Sequence, residues 1–295
     1  MKVWNFILIL LITNLSIPSA LIYLFNFNKD ISKETKNEIS LYIHETGEIR
    51  KIELEEYIKQ VVYAEIPTDF EEEAIKAQAV AVRSYTYRKI QNQTHNNADM
   101  CTNINHCQAW KEKDESDAYK KISDFVEETK GNVATYDEQI INAVYHASSY
   151  GYTENSVNVW AGSGLDYLIS VESAEKSIES ELVVSKKDFL EKLKLKNKNI
   201  KIKILTKTEG NRVKEILINN EIYSGNQIRE IFNLKSTNFD IQVKNDEVKF
   251  VVKGYGHGVG LSQWGAQAMA ASGKNYEEII KHYYSGVEIQ NINNV

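Results

Sequence analysis

A surplus of basic residues is what this chain most plainly lacks. Its 35 Lys and Arg are outnumbered by 41 Asp and Glu, which leaves a formal net charge of -6 over 295 residues. Without bulk positive charge there is little to hold a polyphosphate, so nucleic acid is not an expected partner. A neutral or weakly anionic polymer is still compatible with this balance. Internal repeats are absent, and cysteine and proline are scarce, at two residues each. Apolar content of 42% and charged content of 26% are ordinary for a globular chain, which argues against wholesale disorder. The 17 Tyr and 4 Trp suit sugar stacking and core packing alike.

Charge is also missing from one long segment. Residues 3–27 carry none and are dominated by Ile, Leu and Phe, long enough to cross a hydrocarbon layer of about 30 Å as a helix. Lys2 and the terminal amine precede the run, so the positive-inside rule keeps the N-terminus in the cytoplasm and exports the rest. The competing reading is a cleavable signal peptide, for which Ser-Ile-Pro-Ser-Ala at 16–20 resembles a cleavage site. The run exceeds a usual signal core, which favours an uncleaved single-pass anchor in the cell membrane with an extracytoplasmic body. Residues 29–39 then read as a linker.

The remainder has the pattern of an α+β fold. A hairpin is expected from 41–43 and 49–52 around Gly47, then a helix over 55–63 closed by Pro67. Glu71, Glu72 and Glu73 open an alanine-rich helix running to about Ile90, placed where the helix dipole favours negative charge. Residues 91–110 read as a loop, 117–128 as a helix, 133–136 and 140–147 as paired strands, and 148–164 as a Ser/Gly/Asn-rich loop. The stretch 185–253 is rich in Lys, Asn and Ile, and reads as a subdomain or insertion with no catalytic constellation. Helices follow at 261–271 and 276–284.

Four groups of residues have the chemistry of a site. Glu65 sits among Val61, Val62, Tyr63, Ala64 and Ile66, and burial there raises a carboxyl pKa toward that of a general acid. A structural Glu paired to backbone or Arg is the competing reading. Lys76, Val80, Arg83 and Tyr87 share one helical face, and two cations near a carboxylate either tune it or form a solvated face. His95, Cys101, His106 and Cys107 match a closed, structural tetrahedral zinc site in ligand type and number, whereas an exported pair of cysteines ordinarily forms a disulfide. Gly-Tyr-Gly-His-Gly-Val-Gly, residues 254–260, holds His257 and precedes Ser262 and Gln263 at a helix start. Its glycines fit neither a P-loop nor a dinucleotide fingerprint. The string reads as a substrate-binding anion or hydroxyl site at a helix N-terminus, formed by His257, Ser262 and Gln263, or else His257 is a packed structural histidine. Tyr152, Thr153 and Glu154, with Trp160 beyond them, suit a sugar-binding wall or an ordinary turn.

Taken together, these strings resemble the stage II sporulation protein D (SpoIID) family, which also includes amidase-enhancer proteins. The matching pieces are 57–67, 73–85, 106–110, 152–160 and 254–284, in the family's order. Ala-Glu-Ile-Pro with Ala-Ile-Lys-Ala-Gln-Ala-Val-Ala-Val-Arg-Ser-Tyr is highly specific, as is Gly-Tyr-Gly-His-Gly-Val-Gly-Leu-Ser-Gln-Trp-Gly-Ala. The resemblance implies a peptidoglycan lytic transglycosylase that prefers glycan stripped of stem peptides and leaves 1,6-anhydro-muramic acid ends during sporulation engulfment. It implies Glu65 as catalytic acid, Lys76 and Arg83 as supporting cations, and zinc on His95, Cys101, His106 and Cys107. The implied partners are a SpoIIP-type amidase and a SpoIIM-type membrane protein. The amidase-enhancer branch supplies the alternative of a non-catalytic wall-binding module. One departure stands out: where members read Ser-x-Gly-Gly-x-Thr-Glu, this chain has Ser149-Tyr-Gly-Tyr-Thr-Glu.

Overall fold

Alternation of apolar residues at Ile39 and Leu41 drives the first strand, β1 (Glu38–Tyr42), to bury one face and pair antiparallel with β2 (Ile49–Glu53). The strand begins inside the segment expected as linker. The chain then enters α1 (Leu54–Glu65), capped by the Glu53 carboxylate, which accepts the Glu56 N–H. Pro67 pushes Ile66 into an extended conformation (φ -126, ψ 152), so α1 stops with Glu65 as its last helical residue. In this computed structural model, residues 37–160, 162, 164–175, 178–196 and 199–295 are described. The apolar run 3–27, expected as the membrane anchor, lies outside them. Among the described residues no helix is long and apolar enough to cross a membrane.

The centre of the fold is α2 (Glu72–Gln91), buried at every position from Ala74 to Ser84. A helix buried all round belongs inside a protein, and the small side chains of Ala74, Ala77, Ala79 and Ala81 allow neighbours to approach closely. It packs against α1, α3 (Asp117–Glu128), α6 (Gln263–Ala271) and α7 (Tyr276–Tyr283), and against strand β4 (Asn132–Tyr136). The loop after α2 is interrupted by a two-residue strand, β3 (Met100–Cys101), parallel to β1. β4 lies between β5 (Gln139–Ile140) and the last strand, β16 (Glu288–Asn291).

The strand expected over 140–147 is broken. Val144 N–H turns back onto the Asn142 carbonyl, so only β6 (Tyr145–His146) resumes, pairing parallel with β15 (Leu261–Ser262). That short pairing brings the glycine-rich string beside Tyr145. A further pair joins β7 (Gly151–Tyr152) and β8 (Glu172–Ser173).

A second apolar core occupies the segment that began as the Lys/Asn/Ile-rich stretch. It is built by two three-stranded antiparallel sheets. One has the order β13 (Phe239–Lys244), β14 (Glu247–Lys253), β9 (Glu179–Ser185), and the other β10 (Ile202–Lys207), β11 (Val213–Ile218), β12 (Glu221–Ser224). Helices α4 (Lys186–Lys192) and α5 (Gly225–Phe232) close it, with Phe189 and Phe232 stacked at 5.1 Å and Phe239 edge-on to Phe250. Residues 37–295 nevertheless form one compact unit. The architecture is α+β.

Candidate functional site

Four parts of the chain meet over the end of α1 and enclose a cleft of about 570 Å³. Glu65 projects into it from the helix terminus. Tyr85 comes from α2, Gln108 and Ala109 from the loop after β3, Tyr145 and His146 from β6, and His257 and Gln263 from the glycine-rich string and the start of α6. The Glu65 Oε1 accepts the Ala109 N–H at 2.7 Å and the Tyr145 hydroxyl at 3.2 Å, and the Gln263 side chain donates to the same carboxyl. Burial raises the Glu65 pKa, and these three donors, which favour the charged form, only partly offset it. The carbonyl end of α1 adds a further unfavourable field for negative charge. Glu65 is the sole carboxylate lining the cleft among the described residues.

Tyr145 is also held from the other side. Its hydroxyl lies 3.0 Å from Gln108 Oε1, while Gln108 Nε2 donates to Thr86 at 3.0 Å and Tyr57 at 3.3 Å. One hydroxyl proton thus faces two acceptors, Glu65 and Gln108.

The wall opposite consists of imidazoles that stay neutral. His146 is buried with both ring nitrogens engaged, Nδ1 with the Val259 carbonyl at 3.1 Å and Nε2 with Ser149 Oγ at 2.6 Å. Burial, and then the neighbouring His257 and Arg212, hold it well below the usual histidine range. His257 is pushed down to about 3 by desolvation and by Arg229 and Arg212, and its Nδ1 accepts the Val259 N–H at 3.0 Å. The glycines make this packing feasible. Gly256 has φ 112, and a Cβ there would stand 2.6 Å from the His146 Cβ; Gly258 has φ 87, and a Cβ would stand 2.2 Å from the Arg212 guanidinium.

His95, Cys101, His106 and Cys107 are brought together. Their ligand atoms all lie within 4.8 Å of one another, and Cys101 and Cys107 are free thiols. His95 Nε2 is 3.1 Å from Cys107 Sγ, and His106 Nδ1 is 3.4 Å and 3.7 Å from Cys107 and Cys101 Sγ. This is a candidate metal site. His106 and Cys107 also line the cleft, immediately before the Ala109 N–H that bonds Glu65.

Other expected residues stand elsewhere. Arg83 is fully buried and pairs in bidentate fashion with Glu55, at 2.8 and 2.7 Å, with Nη1 also donating to the Asn132 carbonyl at 3.0 Å. Lys76 is enclosed by Glu72, Glu73 and Glu128. Neither lines the cleft; Arg83 is satisfied by a carboxylate from α1, and Lys76 by two from the first turn of α2 and one from α3. Thr153 is buried and accepts the Val171 N–H at 2.8 Å. Glu154 is buried too, accepting from Asn155 N–H, Asn158 and Thr208, which ties the loop to the second core. Tyr152 is exposed on β7. Ser262 caps α6 and bonds Glu175, which also accepts from Ser148, Ser173 and the Tyr150 N–H. Tyr150, standing where the family pattern has Gly, has φ 61, a left-handed conformation that Gly adopts at lower cost. Of the expected substrate-binding residues, His257 and Gln263 therefore share the cleft with Glu65.

Sequence reasoning missed Tyr145, Gln108 and Arg229. Arg229, from α5 of the second core, also lines the cleft.

The family profile described as "Stage II sporulation protein" matches residues 42–136, a segment holding Glu65 and the His/Cys cluster. The chain is 31% identical over 315 aligned residues to the stage II sporulation protein D of Bacillus subtilis (strain 168), an alignment covering 93% of this chain and 92% of that protein. With the Bacillus amyloliquefaciens stage II sporulation protein D it shares 34% over 275 residues, 87% of this chain and 80% of that one. An amidase enhancer of B. subtilis matches at 29% over 294 residues, covering 79% of this chain and 40% of the enhancer. With these matches over most of both chains, and an α+β fold that brings Glu65, His106, Cys107, His257 and Gln263 to one cleft, this chain belongs to the stage II sporulation protein D family.

Proposed function

We propose that this protein is a peptidoglycan lytic transglycosylase in which Glu65 both gives and takes the proton. The observation that carries this reading is a single carboxylate, raised in pKa by burial, lining a cleft that holds no second one among its described residues. Glycoside hydrolases ordinarily need two carboxylates, set about 5 to 9.5 Å apart. A lytic transglycosylase works with one. Protonated Glu65 donates to the glycosidic oxygen as the C1–O bond of N-acetylmuramic acid breaks and an oxocarbenium-like centre develops. The carboxylate left behind accepts the proton of the same sugar's C6 hydroxyl, whose oxygen bonds C1 and closes the 1,6-anhydro ring. Proton transfer of this kind contributes on the order of 10² to 10⁴ in rate.

The His/Cys cluster fits zinc. Tetrahedral bonds of about 2.3 Å to sulfur and 2.0 Å to nitrogen require sulfur–nitrogen edges of roughly 3.5 Å, and three of the four such edges here measure 3.1, 3.4 and 3.7 Å. Four protein ligands make the site closed and structural. Its part would be to fix residues 101–109, and with them the Ala109 N–H that orients Glu65 Oε1.

Engulfment of the forespore, membrane anchorage through residues 3–27, an extracytoplasmic location, and work beside a SpoIIP-type amidase and a SpoIIM-type membrane protein complete the reading. Purified protein incubated with bare glycan strands should yield anhydro-muramic ends by mass spectrometry, and Glu65→Gln should yield none. The amidase-enhancer relative supports a second reading, a non-catalytic wall-binding module. Wild-type protein that accelerates an amidase but releases no anhydro ends would decide for it.

A further inference from the structure

The cleft contains one permanently charged cation among its described lining residues, and it is Arg229. Lys235 stands over the ring of Tyr255 at 4.6 Å without lining the cleft. Arg83 and Lys76 are neutralised by carboxylates, and Arg212 is sealed behind Gly258. Arg229, which lines the cleft, spends Nε–H on the Leu234 carbonyl at 3.3 Å, and its terminal nitrogens form no ion pair among the described residues. Its position is well supported: Ile228 and Phe232 sink into the second core, and Ser224 with Gln227 forms a capping box at the start of α5. Holding an unpaired guanidinium partly out of water is unfavourable unless a ligand completes the pair. Two exposed aromatics, Trp160 and Tyr255, rim the same opening, 42% and 46% accessible. Aromatic faces beside a free guanidinium suit a sugar that carries a carboxylate.

We propose that Arg229 is the specificity-determining residue of the cleft, forming a bidentate pair with the lactyl carboxylate of N-acetylmuramic acid. This rests on the glycan-cleaving reading above and deepens it. The lactyl carboxylate is a free anion only where no peptide is attached; in a peptide-bearing strand it is a neutral amide with a bulky substituent. One arginine would therefore read whether the strand has been stripped. The second core thereby acquires a role, delivery of the anion-reading group to the acid.

The test uses the full chain with three substrates: bare glycan strands, the same strands with lactyl carboxylates coupled to methylamine, and peptide-bearing strands. Wild type should cut bare strands at least tenfold more efficiently than methylamide strands, with the difference mainly in KM. Arg229→Gln should lose at least tenfold on bare strands and little on methylamide strands, so the preference collapses, and Arg229→Lys should restore part of it. Wild type that cuts both strands equally, or Arg229→Gln that keeps the preference, overturns the proposal. Should Arg229→Gln fail to fold, the wild-type comparison alone decides. Absence of anhydro ends from every substrate would instead refute the transglycosylase reading. Retention of bare over methylamide strands by Glu65→Gln, lost in the Glu65→Gln/Arg229→Gln double variant, then tests Arg229 without catalysis.

Discussion

Replacing Arg83 with Ala should unfold this protein more than it impairs its chemistry. Arg83 is wholly buried, and its guanidinium is used up by Glu55, the Asn132 carbonyl and Thr129. Truncation leaves the Glu55 carboxylate, only 7% exposed, facing an apolar space with the Gly131 N–H as its remaining nearby donor. Removing one partner of a buried ion pair costs about 3 to 5 kcal/mol, because the other charge is stranded. In a domain of this size each kcal/mol moves the melting temperature by about 2 to 4 °C, so a fall of roughly 6 to 20 °C is expected. Removing both charges, as in Glu55→Leu/Arg83→Met, should recover more than half of the loss, since a well-packed apolar pair often replaces a buried ion pair without penalty. Recovery should stop short of complete, as the Asn132 carbonyl also loses its donor. Thermal melts of the four proteins of the cycle measure this, and cleavage of bare glycan is then compared at a temperature where all are folded. Folded Arg83→Ala should retain kcat/KM within a few-fold of wild type. A variant that melts like wild type but shows a much raised KM would refute the structural assignment and return Arg83 to the substrate.

The proton inventory at Glu65 and the His/Cys cluster yield further expectations. Tyr145→Phe removes a donor that favours the charged form of Glu65, so the Glu65 pKa should rise further. The acid form then persists to higher pH, and the descending alkaline limb of the kcat profile should move up; a downward move contradicts this wiring. Metal analysis should find one zinc per chain. A chelator strong enough to remove it should lower both the melting temperature and activity, because residues 101–109 lose their anchor. Metal-free protein with Cys101 and Cys107 oxidised to a disulfide would exclude that role. Gly258→Ala should cost about 1 to 3 kcal/mol by overpacking against Arg212, visible as a lower midpoint in urea.

What the sequence reveals of this site depends on how far apart the partners lie along the chain. The four His/Cys ligands fall between 95 and 107, so their spacing alone marks a candidate metal site. Glu65 is marked by the apolar residues around it and by Pro67, which ends the helix there. His257 and Gln263 belong to one glycine-rich string. Tyr145 is different: its contacts with Glu65 and Gln108 span 80 and 37 positions, and it lies where an expected continuous strand is broken. Arg229 is hidden for the same reason, in a segment with no local motif. Lys76 and Arg83 stand outside the cleft lining, and a shared helical face says nothing about what that face meets. For Lys76 the local pattern already held the answer, since Glu72 and Glu73 stand four and three residues before it. For Arg83 the partner is 28 residues away on another helix, beyond the reach of any spacing rule.

The cleft is therefore assembled from pieces that have separate reasons to be stable. The end of α1 supplies Glu65, fixed by Pro67. The loop that carries the His/Cys cluster supplies the Ala109 N–H. The β6–β15 pairing brings Tyr145, His257 and Gln263 together, and a distinct apolar core carries Arg229. Because each piece has its own anchor, damage to one should change one property of the reaction before it destroys the fold. Loss of the loop's anchor should misorient Glu65, loss of Tyr145 should shift its pKa, and loss of Arg229 should erase discrimination between bare and peptide-bearing strands. Arg83 is the counterexample, since its partners lie in the shared core and its loss is felt by the whole domain. Measuring stability alongside kcat and KM in each variant separates the two kinds of residue, which rate measurements alone would merge.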